Sequence, residues 1–338
     1  MKLLIVTQVI DVNHPILGFF HRWVQEFATH CEQVHIICLE LGQHHLPDNV
    51  TVHSLGKESG TGKLTQLGRF LKYSWQLRRE YEAVFVHMIP LYVIIGAPIW
   101  RLLRKRIGFW YTHGSVTLLL RVAGILTNQI FTASPESCKL RSRKIHVTGH
   151  GIDTDHFRAI EGIVKDIDLI TVGRIAKAKN LTTLVDILVA VRKTHDVSLT
   201  IVGAAVTPEE QVYDAELRDY IAALGLTDQV HFLGRVCQAE LPQTLNRAKV
   251  FVTTAQNGSL DKAVLEAMAC GLPIVSMAPG TESLPLGGYQ TTSSSAFVSA
   301  LKQLFQSNYL VGVSNEQYIT KHHSLTRLVA VIVKLYDQ

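Results

Sequence analysis

Short apolar runs alternate with amphipathic stretches along almost the whole chain of 338 residues. The runs are rich in β-branched and aromatic residues and apolar on both faces, which is typical of parallel strands covered by helices on both sides. In the first half they occupy residues 3–8, 34–40, 84–88, 107–113 and 129–134. In the second half they occupy residues 168–174, 198–204, 229–234, 249–255 and 273–277. The series stops near Ile145 and restarts near Asp168, so the pattern predicts two Rossmann-like, doubly wound α/β domains.

The break between the two series sets the predicted domain boundaries. Residues 1–157 form the first domain, residues 158–323 the second, and residues 324–338 a helix that we expect to pack back on the first domain. Helices in the second half are predicted at 180–194, 208–224, 238–248 and 261–270. Open parallel sheets bind ligands at the carboxyl ends of their strands. We therefore expect the two sheets to face each other across a cleft that holds the functional site.

Composition raises the question of a membrane span. Apolar residues make up 47% of the chain and charged residues 18%, which also excludes an intrinsically disordered protein. The longest apolar stretch, residues 83–100, contains His87, Pro90, Gly96 and Pro98, so we predict a strand followed by a buried helix. The first residues lack the cleavage site of a signal peptide, and the five cysteines are scattered, which fits a reducing compartment. We therefore expect a cytoplasmic protein.

The positive charge is concentrated in the first half of the chain. The net charge is +5, and residues 1–157 carry 17 Lys and Arg against 11 Asp and Glu, a net +6, which leaves −1 for the rest. The basic residues cluster at 101–106 and in the amphipathic stretch 64–81. Such helices can lie on an anionic membrane surface at its inner face, or they can be ordinary solvated faces, and both interpretations stay open. No nucleic-acid-binding motif accompanies the charge, so we expect no nucleic-acid partner.

Several motifs of other enzyme classes are missing or incomplete. No GxGxxG follows a strand, which disfavours a dehydrogenase, and no GxSxG elbow indicates a serine hydrolase. The stretch 56–63 resembles a phosphate loop, but Lys57 stands where a glycine is required and Leu64 where a Ser or Thr would hold magnesium. The sixteen histidines show no metal-ligand spacing, so we expect surface or capping histidines and no metal site.

Two cations at the end of one predicted strand are the first candidate binding residues. The segment VGRIAKAKN at 172–180 puts Arg174 at a strand end and Lys179 just before a helix. Cations at the carboxyl edge of a parallel sheet, beside a helix N-terminus, form an anion site suited to a diphosphate. A surface Arg and Lys in an ordinary loop is the alternative interpretation.

The segment NGSLDKAVLEAMACGLPIV at 257–275 favours the anion site. Its pattern predicts a polar loop, a helix with Asp261 as N-cap, and then a strand. Free backbone N–H groups of Lys262 and Ala263 at the helix start can hold a phosphate. Glu266 is placed to accept hydrogen bonds from the vicinal hydroxyls of a ribose, or it only complements the helix dipole.

In combination, these segments resemble the family 4 (group 1) glycosyltransferases, which are retaining enzymes with the GT-B fold. The resemblance rests on VGR with the following lysine, IVG, the FLG loop at 232–234 and LEAMACGLPIV, and it covers nearly the whole chain. The first half adds PILGFFHRW at 15–23, WYTHGS at 110–115 and GHGIDTDHF at 149–157. Two Rossmann-like domains facing each other across a cleft are the fold that this resemblance implies.

The resemblance also implies roles for individual residues. Arg174 and Lys179 would bind the diphosphate of a nucleotide-sugar donor, and Glu266 would bind its ribose. His113 would approach the donor sugar, and Gly18 would let the first loop come close to the pyrophosphate or the acceptor. A packed strand-end histidine is the alternative for His113.

One position departs from the family pattern. The family usually carries two glutamates with seven residues between them, and Gly258 stands where the first would be. Asp261 can take over the contact to the sugar hydroxyls, or the backbone amides of Ser259 to Asp261 can suffice. The identity of the donor sugar stays open at this point.

The reaction that the resemblance implies is front-face transfer of a sugar to an acceptor hydroxyl, with retention and without a metal or cofactor. The leaving diphosphate gains negative charge, which the two cations and the helix amides would stabilise. Acceptors in this family range over lipid-linked intermediates, polysaccharides and small metabolites. The basic first half favours a lipid-linked or membrane-proximal one, so we expect a glycan, a glycolipid or a lipid-linked precursor. The alternatives are an epimerase or a phosphorylase of the same fold, or a catalytically silent nucleotide-sugar-binding protein.

Overall fold

The structure is a computed structural model that describes residues 1–256, 258–307 and 313–336. The chain divides into two compact units. The first unit comprises Met1–Asp153 and His322–Gln338, and the second comprises Thr154–Lys321. The divisions therefore fall at 153/154 and 321/322, rather than at 157/158 and 323/324.

The described residues form strands and helices that alternate through both units. The strands are β1 Lys2–Ile10, β2 Gln33–Leu41, β3 Val50–Ser54, β4 Ala83–His87, β5 Arg106–Trp110, β6 Gln129–Thr132, β7 Ile145–Val147, β8 Ile167–Val172, β9 Leu199–Val202, β10 Val230–Gly234, β11 Ala248–Thr253 and β12 Ile274–Ser276. The helices are α1 Phe19–His30, α2 Lys63–Gln76, α3 Pro90–Leu102, α4 Leu118–Leu126, α5 Leu181–Arg192, α6 Pro208–Ala223, α7 Leu241–Asn246, α8 Lys262–Ala269, α9 Ser294–Gln306, α10 Val313–His323 and α11 Leu325–Tyr336.

The first unit is a seven-stranded parallel sheet covered on both faces. Its strand order is β3-β2-β1-β4-β5-β6-β7, and every pairing is parallel. Helices α2, α3 and α4 cover one face through Phe70, Trp100 and Leu120. Helices α1 and α11 cover the other face through residues such as Trp23 and Ile332. Strands enclosed on both sides must be apolar on both sides, which is the pattern seen in the sequence.

The C-terminal helix α11 is an integral part of the first unit. Its buried residues follow a helical repeat and are Leu325, Leu328, Val329, Ile332 and Tyr336. The Tyr336 hydroxyl donates a hydrogen bond to the carbonyl of Val84 at 2.7 Å, at the centre of the sheet. A Cβ atom at Gly108 would overlap the Tyr336 hydroxyl, so the glycine in β5 makes room for the ring.

The second unit is a five-stranded parallel sheet of order β10-β9-β8-β11-β12. Gly173, Gly203 and Gly234 stand at the carboxyl ends of the three neighbouring strands β8, β9 and β10. The amide of Gly203 donates to the carbonyl of Gly234 at 2.7 Å, and a Cβ on Gly203 would overlap the carbonyl oxygen of Gly173. The glycines of VGR, IVG and FLG thus let the backbone segments at this sheet edge pack closely.

The apolar pattern predicts the buried elements better than the edges. It does not predict β3 and β7, which lie at the two edges of the seven-stranded sheet and whose residues are all at least partly exposed. The helix predicted at 238–248 is limited to Leu241–Asn246. The stretch 83–100 is indeed a strand followed by a helix, β4 and then α3. Across the ranges that the structure describes, no helix has both the length and the hydropathy of a bilayer span.

Several histidines lie in the interior, in contrast to the expected surface or capping positions. They are His21, His35, His87, His150 and His323. The His87 ring stacks on Phe20 with centroids 4.1 Å apart, and its Nδ1 lies 3.3 Å from the Thr7 hydroxyl. Burial, together with the smaller effect of the nearby His150, lowers the pKa of His87 to about 3. Burial likewise lowers the pKa of His323 to about 4.

We predict that the first unit loses stability as the pH falls from about 6.5 towards 4, where about 6.5 is the pKa of an unfolded histidine. Below that pH the unfolded chain binds a proton that folded His87 does not, so each such histidine lowers the free energy of unfolding by up to ~1.4 kcal/mol per pH unit. The four tryptophans all lie in the first unit, so their fluorescence follows its unfolding in urea. In the variant His87→Gln the free energy of unfolding should depend less steeply on pH between 6.5 and 4. An unchanged pH dependence would contradict the claim that His87 stays neutral in the folded protein.

Candidate functional site

The candidate site begins where β8 ends at the carboxyl edge of the second sheet. Gly173 follows the strand with φ of +151°, and Arg174 comes directly after it. The Lys179 side chain crosses over this glycine, because a Cβ on Gly173 would lie 2.6 Å from Lys179 Cε and 2.7 Å from its Nζ. The two predicted cations therefore flank one residue that has to be a glycine.

The loop that carries Lys179 is held by the segment that directly follows the neighbouring strand β11. The amide of Gln256 donates to the carbonyl of Ala178 at 2.8 Å, and the Thr254 hydroxyl donates to the carbonyl of Asn180 at 2.9 Å. These bonds fix the backbone on both sides of Lys179, just before α5 begins at Leu181.

Lys179 forms an ion pair with Asp261 at the start of α8. Lys179 Nζ donates to Asp261 Oδ2, and the two side chains are only 19% and 16% exposed. Asp261 is also the N-cap of α8, because its Oδ1 accepts a hydrogen bond from the amide of Ala263 at 3.2 Å. The predicted N-cap is confirmed, and one carboxylate joins the lysine to the helix.

The Asp261 cap occupies one of the backbone amides at the start of α8. We expected the N–H of Ala263 to be free for a phosphate, but it donates to Asp261 within the protein. The preceding loop is also packed, since a Cβ on Gly280 would overlap the carbonyl oxygen of Ser259. Ser259 and Gly258 are both partly exposed in that loop, and Asn257 lies outside the described residues.

Arg174 is held by a glutamate that the sequence analysis did not single out. Arg174 Nη1 donates to Glu210 Oε1 at 2.6 Å, and the arginine side chain is 52% exposed. Glu210 Oε2 accepts hydrogen bonds from the amides of Val206 at 2.7 Å and Thr207 at 3.2 Å, as part of the capping box of α6. The Thr-x-x-Glu spacing predicts such a box. The contact to Arg174, however, spans 36 residues and has no local signal.

Glu266 is buried and bonded within the second unit. Its Oε1 accepts hydrogen bonds from Gln238 Nε2 at 3.0 Å and from Lys262 Nζ, one turn earlier on the same helix. Lys262 also lies over the ring of Phe157, 5.8 Å from its centroid. Glu266 therefore does more than complement the helix dipole, and Gln238 is a second partner that the sequence analysis missed.

The remaining two predicted residues, His113 and Gly18, lie in the first unit. His113 is exposed in the loop after β5, and its Nδ1 accepts a hydrogen bond from the amide of Ser115 at 3.2 Å. Gly18 precedes α1, and a Cβ there would lie 2.8 Å from the carbonyl oxygens of Val12 and His14. Gly18 thus has a packing role within its own loop.

Comparison with known proteins decides what kind of domain carries this site. The family model described as "Glycosyl transferases group 1" matches residues 153–283. This range includes the seven predicted site residues of the second unit as well as Glu210 and Gln238. The second unit is a group 1 glycosyl transferase domain.

Two curated relatives align with 41% and 55% of this chain. Mannosylfructose-phosphate synthase of Agrobacterium fabrum is 25% identical over 153 residues, which is 41% of this chain and 34% of that protein. The MMP alpha-(1->4)-mannosyltransferase of Mycolicibacterium hassiacum is 28% identical over 198 residues, 55% of this chain and 44% of that protein. The alignments span less than half the length of these relatives.

A solved structure matches over the full length of both chains. Alr3699/HepE of Anabaena, solved in complex with UDP and glucose, superposes with a TM-score of 0.78 at 20% identity and covers 100% of each chain. This likeness confirms the predicted GT-B fold class of two Rossmann-like domains.

Within the ranges that the structure describes, no group of three His, Cys, Asp or Glu side chains could hold a metal ion.

We predict that Asp261→Ala destabilises the glycosyl transferase domain more than Asp261→Asn does. Both lose the negative charge that faces Lys179, but asparagine caps helices about as well as aspartate, and replacing a cap with alanine costs ~1 kcal/mol. Unfolding in urea followed by circular dichroism measures the difference.

Tryptophan fluorescence provides the internal control, because all four tryptophans belong to the first unit. The urea concentration at which the first unit unfolds should be the same in both variants as in the wild type. Equal losses in the two variants would show that the Asp261 cap contributes nothing to the stability of α8.

Proposed function

We propose that this protein transfers a sugar from a nucleoside-diphosphate sugar to an acceptor hydroxyl, with retention of configuration and without a metal ion. The observation that carries the proposal is the pair of cations around Gly173, in a domain of the group 1 glycosyl transferases. A diphosphate leaving group has to be bound and its growing negative charge stabilised, and fixed cations at a sheet edge can do both.

Both cations keep donors for a ligand although each has a partner within the protein. Glu210 holds Arg174 through Nη1, and a guanidinium carries five N–H donors in all. Asp261 accepts from Lys179, and an ammonium group carries three donors. A diphosphate can therefore join these ion pairs without breaking them, and the carboxylates keep the cations in place before the ligand arrives.

For the nucleoside and the sugar we propose roles that follow the family resemblance. Glu266 accepts hydrogen bonds from the ribose through the carboxylate that Gln238 and Lys262 hold in position. Asp261, or the backbone amides of Ser259 to Asp261, take the place of the glutamate that Gly258 replaces. His113 contacts the donor sugar, and Gly18 permits close approach of its loop to the pyrophosphate or the acceptor.

The first donors to test follow from the relatives. The two curated proteins are a mannosylfructose-phosphate synthase and a mannosyltransferase by name, and the solved neighbour binds UDP and glucose. A thermal-shift screen with GDP-mannose, UDP-glucose and UDP alone ranks them, since a ligand at 100 times its Kd stabilises the folded state by ~2.7 kcal/mol.

We predict that Arg174→Ala and Lys179→Ala each lower kcat by about 10²–10³, the loss that follows removal of one donor to a developing oxyanion. Release of nucleoside diphosphate from the best donor of the screen is the measurement. Lys177→Ala is the matched control, because Lys177 is an exposed cation in the same loop and should leave kcat unchanged. Wild-type rates in both test variants would overturn the proposed site.

We also predict that EDTA leaves the rate of transfer unchanged. If Arg174 and Lys179 stabilise the leaving diphosphate, a divalent ion is not required for that step. A loss of activity that added Mg²⁺ or Mn²⁺ restores would contradict metal independence but would leave donor binding untouched.

A catalytically silent nucleotide-sugar-binding protein is the second candidate function. The replacement of the first family glutamate by Gly258 favours it. Tight binding of a nucleotide sugar, with no release of diphosphate in the presence of any acceptor, would support this candidate. Conversion of the nucleotide sugar without an acceptor would instead indicate an epimerase of the same fold.

For the acceptor we propose a glycan, glycolipid or lipid-linked precursor in polysaccharide biosynthesis, and for the protein a cytoplasmic location at the inner face of a membrane. The net charge of +6 on residues 1–157 supports this part of the proposal. Comparison of lipid-linked with water-soluble acceptors in the transfer assay tests it.

A further inference from the structure

Helices α2, α3 and α4 form one layer on the sheet of the first unit, and this layer also exposes apolar side chains. Its inward residues include Phe70, Trp100 and Leu120, which are fully buried. The exposed apolar side chains of the same helices are Leu64, Leu67, Leu71, Trp75, Leu91, Leu102, Leu118, Leu119 and Ile125. Leu64, Leu102 and Leu118 are 84%, 74% and 76% exposed. We call these nine side chains, with the basic residues between them, the α2–α4 surface.

The apolar residues of α2 form a stripe rather than a scatter. Leu64, Leu67, Leu71 and Trp75 are spaced by three or four residues, so at 3.6 residues per turn they fall within an arc of about 80°. At 100° per residue the buried residues of this helix, Ser74 and Phe70, adjoin this arc and lie about 20° and 60° beyond Leu67. The stripe therefore borders the packed side of α2, and its outermost members, Leu64 and Trp75, are 84% and 46% exposed.

The charges on this layer have a single sign. The sequences of α2, α3 and α4 contain no Asp or Glu. Their basic residues are Lys63, Arg69, Lys72, Arg101 and Arg121. In the part of the chain that the structure describes, none of these five forms an ion pair. Outside the helices the charges are mixed, since Arg78 and Arg79 are followed by Glu80 and Arg69 lowers the pKa of Glu58. The Arg78 guanidinium lies 5.0 Å from the ring centroid of Trp75.

Helix α6 of the second unit shows that exposed apolar residues combined with only basic charges are not a general property of surface helices in this protein. It carries five acidic residues, namely Glu209, Glu210, Asp214, Glu216 and Asp219, against the single basic residue Arg218. The exposed apolar residue Val212 on this helix has no stripe of apolar neighbours. Helix α6 is a solvated helix, whereas α2 combines exposed leucines and a tryptophan with lysines.

We propose that the α2–α4 surface docks the protein onto the surface of an anionic lipid bilayer. Such a bilayer attracts nearby basic side chains and accepts leucine and tryptophan side chains at the depth of its headgroups. A second copy of the same surface fits less well, because two positively charged faces repel each other. The inference rests on the membrane location proposed above and names the surface that would carry it, but it does not use the transferase activity. Failure of docking would therefore leave the proposed sugar transfer standing, and failure of the sugar transfer would leave docking standing.

Co-sedimentation of the full chain with vesicles tests the docking. We expect binding to vesicles of phosphatidylcholine with phosphatidylglycerol and much weaker binding to phosphatidylcholine alone. Each basic residue near an anionic surface contributes about fivefold to the partition coefficient, so Lys63→Gln with Lys72→Gln should weaken binding about 25-fold. The matched control is Lys177→Gln with Lys193→Gln on the second unit, which removes the same number of charges from exposed positions and should bind like the wild type.

Fluorescence gives a second readout that does not depend on sedimentation. Trp23, Trp100 and Trp110 are buried, whereas Trp75 is exposed, so a shift of the emission maximum on addition of anionic vesicles reports on Trp75. The shift should disappear in Trp75→Phe, which should still sediment. Equal binding to neutral and anionic vesicles, no binding to either, or wild-type binding by the Lys63/Lys72 variant would overturn the proposal. Self-association without vesicles that Leu64→Ser abolishes would also overturn it, in favour of a protein partner.

Discussion

Lys179 reaches Asp261 by crossing over residue 173, and this path is open because residue 173 has no side chain. The backbone at Gly173 also adopts φ of +151°, which residues with a side chain rarely adopt. Both the backbone conformation and the contact with Lys179 therefore require a glycine at this position. Arg174 follows this glycine directly, and its side chain is 52% exposed. Gly173 is therefore next to one cation of the candidate site in the chain and in contact with the other, which Asp261 links to the start of α8.

The charges of the site are paired within the glycosyl transferase domain. Arg174 is bonded to Glu210, Lys179 to Asp261 and Lys262 to Glu266. Each carboxylate is also anchored, to the amides before α6, to the Ala263 amide or to Gln238. Side chains held in this way lose little conformational freedom when a ligand binds, and donors that are already oriented stabilise a developing charge without reorganisation.

The sequence predicts those parts of the molecule that depend on local pattern. Continuous apolar runs identify the central strands, and the cap at Asp261 follows from its place before α8. Edge strands such as β7 are not predicted, because their partly exposed residues do not form a continuous apolar run in the sequence. The contacts of Arg174 with Glu210 and of Glu266 with Gln238 join segments 36 and 28 residues apart, and only the folded sheet brings them together. The burial of His87 at the end of β4 cannot be predicted for the same reason, since it depends on residues distant in the sequence, such as Phe20 of α1, whose ring stacks on it.

The central claim is that Arg174 and Lys179 recognise a diphosphate. Calorimetric titration with nucleoside diphosphates and the matching monophosphates, UDP against UMP and GDP against GMP, tests it most directly, because each pair differs by one phosphate. A hydrogen bond to a charged group contributes ~1.5–3 kcal/mol, so for the base that binds, the diphosphate should bind at least about tenfold more tightly, and Lys179→Ala should reduce the ratio. Equal Kd values for the diphosphate and the monophosphate in the wild type would contradict the claim.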